Sequence, residues 1–127
     1  MTKRINPFED DNFARHCGIE LLEVTEEGAR SQMVIQDYHM NGYELVQGGA
    51  IFTLAVWTFA VAANAHGKMA VGINANISFV KAIREGTIYA EARLISSNQK
   101  LLTYAVEVTD EEGDIIAAFQ GMAYRKR

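Results

Sequence analysis

Residues 48–65 read GGAIFTLAVWTFAVAANA and contain no charged side chain. Alanine and leucine favour helices, and the apolar residues of this stretch cover every face of the helix that it predicts. A helix that is hydrophobic all round has to be surrounded by protein. Its strongly apolar part, residues 50–63, is shorter than the roughly 20 residues that a membrane span needs. We therefore expect a helix buried in a protein core, with Gly67 as the residue just after its last turn.

Strand-like segments lie on both sides of this helix. Before it, residues 19–24 and 29–36 have the apolar content and alternation of strands. After it come four more such segments, residues 70–80, 86–96, 101–109 and 115–124. Short turn-forming links join the last three, so we expect these three to be antiparallel neighbours.

Two finer expectations concern the first and last elements. Pro7 suits the first turn of a short helix that reaches about His16. In the last strand, a period of two places Ile116, Ala118 and Met122 on one face.

The order of these elements predicts the architecture. An antiparallel sheet needs a cover on its apolar face, and a wholly apolar helix needs protein around it. A curved antiparallel sheet of five to six strands wrapped around one long apolar helix meets both needs. This is the hotdog fold, in the α+β class. The 127 residues fit one domain, residues 1–127, with a single core.

Composition excludes several functions. The net charge of −4 argues against a nucleic-acid surface, and we expect Arg125, Lys126 and Arg127 to form a solvated end. Cys17 is the only cysteine, so no intrachain disulfide can form, and we expect it to be a small core residue rather than a nucleophile. The three histidines lack metal-ligand spacing, so we expect no metal site. Residues 1–7 lack a signal-peptide pattern, so we expect a cytoplasmic protein without membrane contact.

Two motifs carry a resemblance to a known family. Residues 39–55 read HMNGYELVQGGAIFTLA, and residues 76–82 read NISFVKA. They resemble the signature of the PaaI-type (phenylacetyl-CoA thioesterase-like) branch of the hotdog thioesterase superfamily. In that signature an Asn-Gly leads into His-Gly-Gly-Ala and then into an apolar helix carrying Leu-Ala-Asp. The resemblance covers about residues 12–125, which is nearly the whole chain.

The resemblance implies hydrolysis of an acyl-CoA thioester in a cleft between subunits of a homodimer or homotetramer. It implies no cofactor beyond the coenzyme A of the substrate. Gly48 and Gly49 would offer backbone N–H groups to the oxyanion at the helix N-terminus. Asn41 matches the family's active-site asparagine, although an ordinary turn residue beside Gly42 is the alternative.

Two positions depart from the family pattern. Gln47 stands in place of the histidine, where it could contact the thioester carbonyl or cap the helix. Val56 stands in place of the catalytic aspartate and cannot move a proton. Glu44 is the nearest carboxylate in sequence that could replace it, although a loop glutamate is more often solvated.

Substrate contacts are the least defined part of the prediction. Phe52, Trp57 and Phe59 could line an acyl site or belong to the core. Lys81 and Arg84 could bind the phosphates of coenzyme A. Two functions stay open: an acyl-CoA thioesterase, and a catalytically degenerate hotdog protein that binds an acyl-CoA or another apolar ligand. A hotdog dehydratase is disfavoured, since it needs a histidine paired with a carboxylate.

Overall fold

The computed structural model describes residues 7–126, and of Pro7 only the backbone. Residues 1–6 of the N-terminus and Arg127 of the basic C-terminal cluster lie outside the described residues. Within residues 7–126 there are two α-helices, α1 (Asn12–His16) and α2 (Gly48–Ala63). Six strands make up the rest of the framework: β1 (Ile19–Val24), β2 (Gly28–Val34), β3 (Ala70–Phe79), β4 (Thr87–Ser97), β5 (Leu101–Thr109) and β6 (Ile115–Arg125). Short 3₁₀ turns at Pro7–Asp10 and Asp37–His39 complete the list.

All six strands form one sheet in the order β1-β2-β4-β5-β6-β3, and every neighbouring pair is antiparallel. The predicted antiparallel meander of β4, β5 and β6 is confirmed. After α2 the chain crosses to the far side of the sheet, so β3 becomes one edge and β1 the other. This is the expected hotdog arrangement.

The sheet curves around α2. The helix touches all six strands, which a flat sheet could not achieve. Register shifts interrupt four of the five strand pairs, for example between Gly72 and Asn74 in β3 and between Leu94 and Ser96 in β4. Such bulges bend a strand and increase its twist, which supplies the curvature.

Most of α2 is buried, as its sequence predicts. The buried residues include Ile51, Leu54, Trp57, Phe59 and Val61. The ring of Phe59 packs edge-on against Tyr104 and tilted against Phe119. No helix in the part of the chain that the structure describes is both long and apolar enough to cross a membrane.

Buried polar contacts hold α2 in position along its axis. The Thr58 hydroxyl donates to the carbonyl of Leu54 and contacts the Ser31 hydroxyl of β2. The Tyr104 hydroxyl donates to the carbonyl of Ala62 over 3.2 Å. These contacts satisfy polar groups in the interior that would otherwise cost about 1–3 kcal/mol each.

Three boundary predictions are corrected. Helix α2 ends at Ala63 because the side chain of Asn64 accepts from the Ala70 N–H and donates to the carbonyls of Ala60 and Ala70. Gly67 adopts a φ of +87° in the following turn rather than directly after the helix. The helix predicted from Pro7 to His16 is divided, since the Asp11 carboxylate accepts from the Ala14 N–H and starts a new helix.

The predicted face of β6 is wrong. Ile116 is buried, but Ala118 is exposed, while Ala117 and Phe119 point into the core. A register shift causes this, since Val108 pairs with Ala117 but Thr109 pairs with Ile115. The inserted residue moves the alternation by one position.

Gly28 provides a test of the fold. A Cβ at this residue would lie 1.9 Å from the carbonyl oxygen of Ala92 in the neighbouring strand. We expect Gly28→Ala to lower the free energy of unfolding by at least about 1–3 kcal/mol, because β2 and β4 must separate locally. Urea unfolding followed by circular dichroism measures this. Gly42→Ala is the control, since nothing lies within 4 Å of its added Cβ. Equal stability of the two variants would contradict the pairing of β2 with β4.

Candidate active site at the N-terminus of α2

Asn41 organises a small hairpin that leads into α2. Its side-chain oxygen accepts from the backbone N–H groups of Tyr43 at 2.8 Å and Leu45 at 3.1 Å. Its own N–H donates to the Leu45 carbonyl, and an isolated antiparallel bridge joins Met40 to Val46. The turn alternative considered for Asn41 is therefore present in the structure. Only the side-chain amide N–H groups of Asn41 remain for a ligand.

His39 anchors this hairpin to the rest of the protein. It is buried, its Nδ1 accepts from the Gln36 N–H at 2.9 Å, and its Nε2 lies 2.8 Å from the carbonyl oxygen of Cys17. A backbone N–H can only donate and a carbonyl can only accept, so these partners define the tautomer with the proton on Nε2. His39 is thus a structural residue, and the Gln47 N–H in turn donates to its carbonyl.

Gln47 caps α2. Its side-chain oxygen accepts from the Gly49 N–H at 3.0 Å, while its backbone carbonyl accepts from Ala50 and Ile51. The capping alternative for Gln47 is thus present, and it occupies one of the two predicted oxyanion donors. Among the described residues no acceptor lies on the Gly48 N–H, which remains available at the positive end of the helix dipole.

Val56 lies two helical turns beyond Gly49 on the same side of α2. This side is the least covered face of the helix and contains Gly49, Thr53, Val56 and Ala60, of which the last three are partly buried. The hydroxyl of Thr53 donates to the Gly49 carbonyl at 2.8 Å. Because α2 has no ionisable side chain, nothing on this face can exchange a proton at neutral pH.

The aromatic residues of α2 divide between core and site. Trp57 and Phe59 are core residues, and the Trp57 indole N–H donates to the carbonyl of Phe8. Phe52 is only partly buried and packs edge-on against Phe119 at 5.9 Å between ring centroids. Of the three predicted acyl contacts, only Phe52 is partly exposed.

Lys81 and Arg84 line a surface depression of about 710 Å³ beside the hairpin of Asn41, together with Leu45, Asp110, Glu111 and Glu112. The Lys81 ammonium contacts Asp110 at 3.0 Å and Asp114 at 2.8 Å. Arg84 donates to the carbonyl of Glu44, whose own side chain is exposed. The structure thus gathers Asn41, Gln47, Gly48 and Gly49 along one short segment but places Lys81 and Arg84 in an acidic environment.

The Asp110 carboxylate is the electrostatic centre of that depression. The Lys81 ammonium, helped by backbone N–H groups of Asp114 and Glu112, holds the pKa of Asp110 below its usual range against the opposing effect of desolvation. Oxygens of Asp110, Glu112 and Asp114 lie within 4.8 Å of one another. The Lys81 ammonium already supplies a positive charge there, so this cluster is explained without a metal ion.

Cys17 does not resemble a nucleophile. Desolvation, with the nearby Asp11 carboxylate, raises the pKa of its thiol, whereas a reactive cysteine needs a lowered one. The buried hydroxyl of Thr58 contacts the Ser31 hydroxyl of β2, so Thr58 faces the sheet and not the side of α2 that contains Val56.

Known proteins that are similar to this chain identify its family. Residues 43–117 match the family described as the thioesterase superfamily. The chain belongs to the thioesterase superfamily. A protein of Archaeoglobus fulgidus that bears a provisional esterase name is 34% identical over 98% of this chain and 83% of its own length. The acyl-coenzyme A thioesterase PaaI of Escherichia coli is 29% identical over 93% of this chain and 85% of its own.

Solved structures place the chain in the same hotdog branch. The E. coli PaaI protein from the phenylacetic acid degradation operon superposes with a TM-score of 0.90, at 27% identity over 94% of this chain and 88% of that one. A variant of the phenylacetic acid degradation protein PaaI from Thermus thermophilus gives 0.87, at 26% identity over 91% and 100%. The expected PaaI-type, thioesterase-like branch is therefore confirmed.

Two residues at the site escaped the sequence analysis. A Cβ on Gly48 would lie 3.1 Å from the ring of Phe79, so this ring borders the free N–H. His39 positions the hairpin, as described above. Phe79 lies 31 positions after Gly48, and no local sequence pattern predicts a contact between residues so far apart. Its only signal was its place in the second family motif.

The lowered pKa of Asp110 predicts that the stability of the protein depends on pH in the acid range. Because its pKa is lower in the folded state, its stabilisation is complete above the unfolded pKa of about 3.9 and is lost as the pH falls through the folded value. We expect Asp110→Asn to lower the urea midpoint at pH 7, with the deficit shrinking below pH 4. Glu112→Gln is the control, since its side chain makes no ion pair within residues 7–126. A deficit that is constant with pH would refute this assignment.

Proposed function

We propose that this protein is an acyl-CoA thioesterase with an oxyanion site at the N-terminus of α2 and no proton-accepting side chain on that helix. The observation that carries the proposal is the Gly48 N–H, which has no acceptor among the described residues and lies at the start of a helix of 16 residues, beside the exposed ring of Phe79. Membership of the thioesterase superfamily supports the same assignment.

The chemistry follows from what this segment offers. Attack of water on the thioester carbonyl places negative charge on its oxygen, and the Gly48 N–H with the helix dipole would stabilise that charge. Phe52 and Phe79 would hold the acyl group by apolar contact. The side-chain amide of Asn41 would orient the carbonyl or the water. Collapse of the tetrahedral intermediate then releases the carboxylic acid and coenzyme A.

Proton removal from the water is the weak step. General-base catalysis contributes roughly 10²–10⁴-fold in rate, and Val56 contributes none of it. Glu44, exposed on the hairpin that contains Asn41, is the nearest carboxylate along the chain. We therefore expect turnover below that of relatives that have a carboxylate on this helix.

Binding without turnover is the second candidate, and Val56 is the observation that favours it. Together with Thr53 and Ala60 it makes the accessible face of α2 uncharged. Such a face suits an acyl chain and would hold an acyl-CoA without hydrolysing it.

Hydrolysis of a panel of short-chain, long-chain and aromatic acyl-CoAs, followed with a thiol-trapping reagent, tests the proposal. We expect slow turnover above background in the wild type and a gain of about 10²-fold or more in Val56→Asp, since a carboxylate there can accept the proton. Gln47→Ser tests the amide, because serine keeps a helix cap while removing the carboxamide.

Val56→Asn is the matched control, since it has the shape of aspartate but no basic carboxylate. A gain in both variants would show that polarity rather than proton transfer matters. No turnover by the wild type on any substrate, with tight binding of the same acyl-CoA in calorimetry, would establish the binding candidate instead.

The proposed cleft requires a second copy of the chain, and β3 offers the surface for it. This edge strand contains no charged residue, and residues 72–76 are all exposed. An uncharged, exposed edge is a template for pairing with another strand. At the other edge, β1 is shorter and contains Glu20 and Glu23. We propose a homodimer or homotetramer joined through β3.

Lysine substitutions on the two edge strands test whether the copies assemble through β3. We expect Ile73→Lys with Ala75→Lys on β3 to shift the mass in light scattering toward the monomer. Leu22→Lys with Val24→Lys on β1 is the control, because these side chains are also exposed on an edge strand. A monomeric wild type, or loss of the oligomer in the control alone, would contradict assembly through β3.

A further inference from the structure

A basic depression lies at the opposite end of α2 from the candidate active site. It has a volume of about 560 Å³ and is lined by Lys68, Gln99, Lys100, Tyr124, Arg125 and Lys126. Four of these six residues are cationic, and none is acidic. This volume lies within the range of roughly 300–1,000 Å³ of small-molecule sites.

The concentration of positive charge is unusual for this chain. The protein has 16 acidic and 12 basic residues, so a depression whose described lining residues include no Asp or Glu runs against its composition. Within residues 7–126, Lys68, Lys100 and Lys126 form no ion pair. Their charges therefore remain available to an anion from solution.

Hydrogen bonds join the chain segments that contain these cations. The Arg125 N–H donates to the Lys100 carbonyl at 2.7 Å, and the Lys126 N–H donates to the Met69 carbonyl at 2.8 Å. The Arg125 guanidinium donates to the carbonyl of Asn98. Three separate chain segments are thus held together at one place, so the charges converge on the depression through long-range contacts.

Tyr124 adds an aromatic surface among the cations. The Lys100 ammonium lies 5.7 Å from the centroid of its ring, and the ring remains partly exposed. Aromatic side chains next to cations suit ligands that combine a flat base with phosphates, since bases stack on such rings.

We propose that this depression binds the phosphates of a nucleotide, with the base against Tyr124. The nucleotide end of coenzyme A and a free nucleotide share this chemistry. The depression containing Lys81 and Arg84, predicted from sequence to bind these phosphates, is a poorer site. Four carboxylates surround its two cations, among them Asp110, Glu111 and Glu112.

The choice of coenzyme A as the molecule that supplies the nucleotide rests on the proposed function. The geometry of β3 supports this choice. The depression adjoins the start of β3, where Ala70 pairs with Arg125, whereas Phe79 at its end packs on Gly48. Antiparallel pairing of two β3 strands places the start of each beside the end of the other. The depression of one copy would then lie near the N-terminus of α2 in the partner copy.

Calorimetry with adenosine 3′,5′-bisphosphate, coenzyme A and pyrophosphate tests the site without requiring turnover. We expect both nucleotides to bind, with about tenfold or greater weakening in Lys100→Gln with Lys126→Gln, because charge-assisted contacts to phosphate are lost. Lys81→Gln with Arg84→Gln is the control and should leave binding unchanged. Tyr124→Leu should weaken the bisphosphate more than pyrophosphate.

The outcomes separate this site from the proposed reaction. Nucleotide binding by a protein that hydrolyses no acyl-CoA would uphold the site and reject the thioesterase. Equal affinity for coenzyme A and the bisphosphate would support a site for nucleotide phosphates as such. Loss of binding in the Lys81 control but not in the Lys100 variant, or no nucleotide binding at millimolar concentration, would overturn the inference.

Discussion

Burial of α2 against the inner face of the sheet is the contact on which the rest of the structure depends. The helix has 16 residues and no charge, and it meets all six strands. Burying each large apolar side chain contributes roughly 1.5–3 kcal/mol, so residues such as Ile51, Leu54 and Phe59 supply much of the driving force for folding. The strands curve around the helix because only a curved sheet can cover so much of its surface.

Apolar burial alone would not define where the helix sits, because a smooth apolar cylinder can slide or rotate in its groove. Directional polar contacts remove that freedom. Asn64 ties the C-terminal end of α2 to β3, Thr58 meets Ser31 of β2, and Trp57 reaches the carbonyl of Phe8. These contacts bring the N-terminus of α2 to Phe79 and to the hairpin of Asn41.

The same burial limits the chemistry of the helix. Its least covered face contains the partly buried Thr53, Val56 and Ala60, so any proton transfer has to come from outside α2. Two surface depressions of the protein differ in the sign of the charge that lines them. Carboxylates surround Lys81 at one depression, and cations that form no ion pair within residues 7–126 line the other at Lys100. An anionic ligand would therefore be drawn toward the second, while the oxyanion site depends on a backbone dipole rather than on a side chain.

Sequence patterns were enough to predict the fold class, the positions of the strands to within about two residues, and the family. Periodicity and the uncharged run of residues 48–65 are local properties, and the chain has few ways to satisfy them. The same patterns located the segment of Asn41, Gln47, Gly48 and Gly49, because these residues are neighbours in the chain.

Other features of the protein could be seen only in its three-dimensional structure. The bulge that turns Ala118 outward arises from pairing with β5, and the capping role of Gln47 depends on side-chain geometry. The contact of Phe79 with Gly48, the ion pairs of Lys81 and the convergence of Lys68 with Lys100 and Lys126 join residues far apart in the chain. Such contacts follow from how the sheet closes around the helix, which no local pattern of residues encodes.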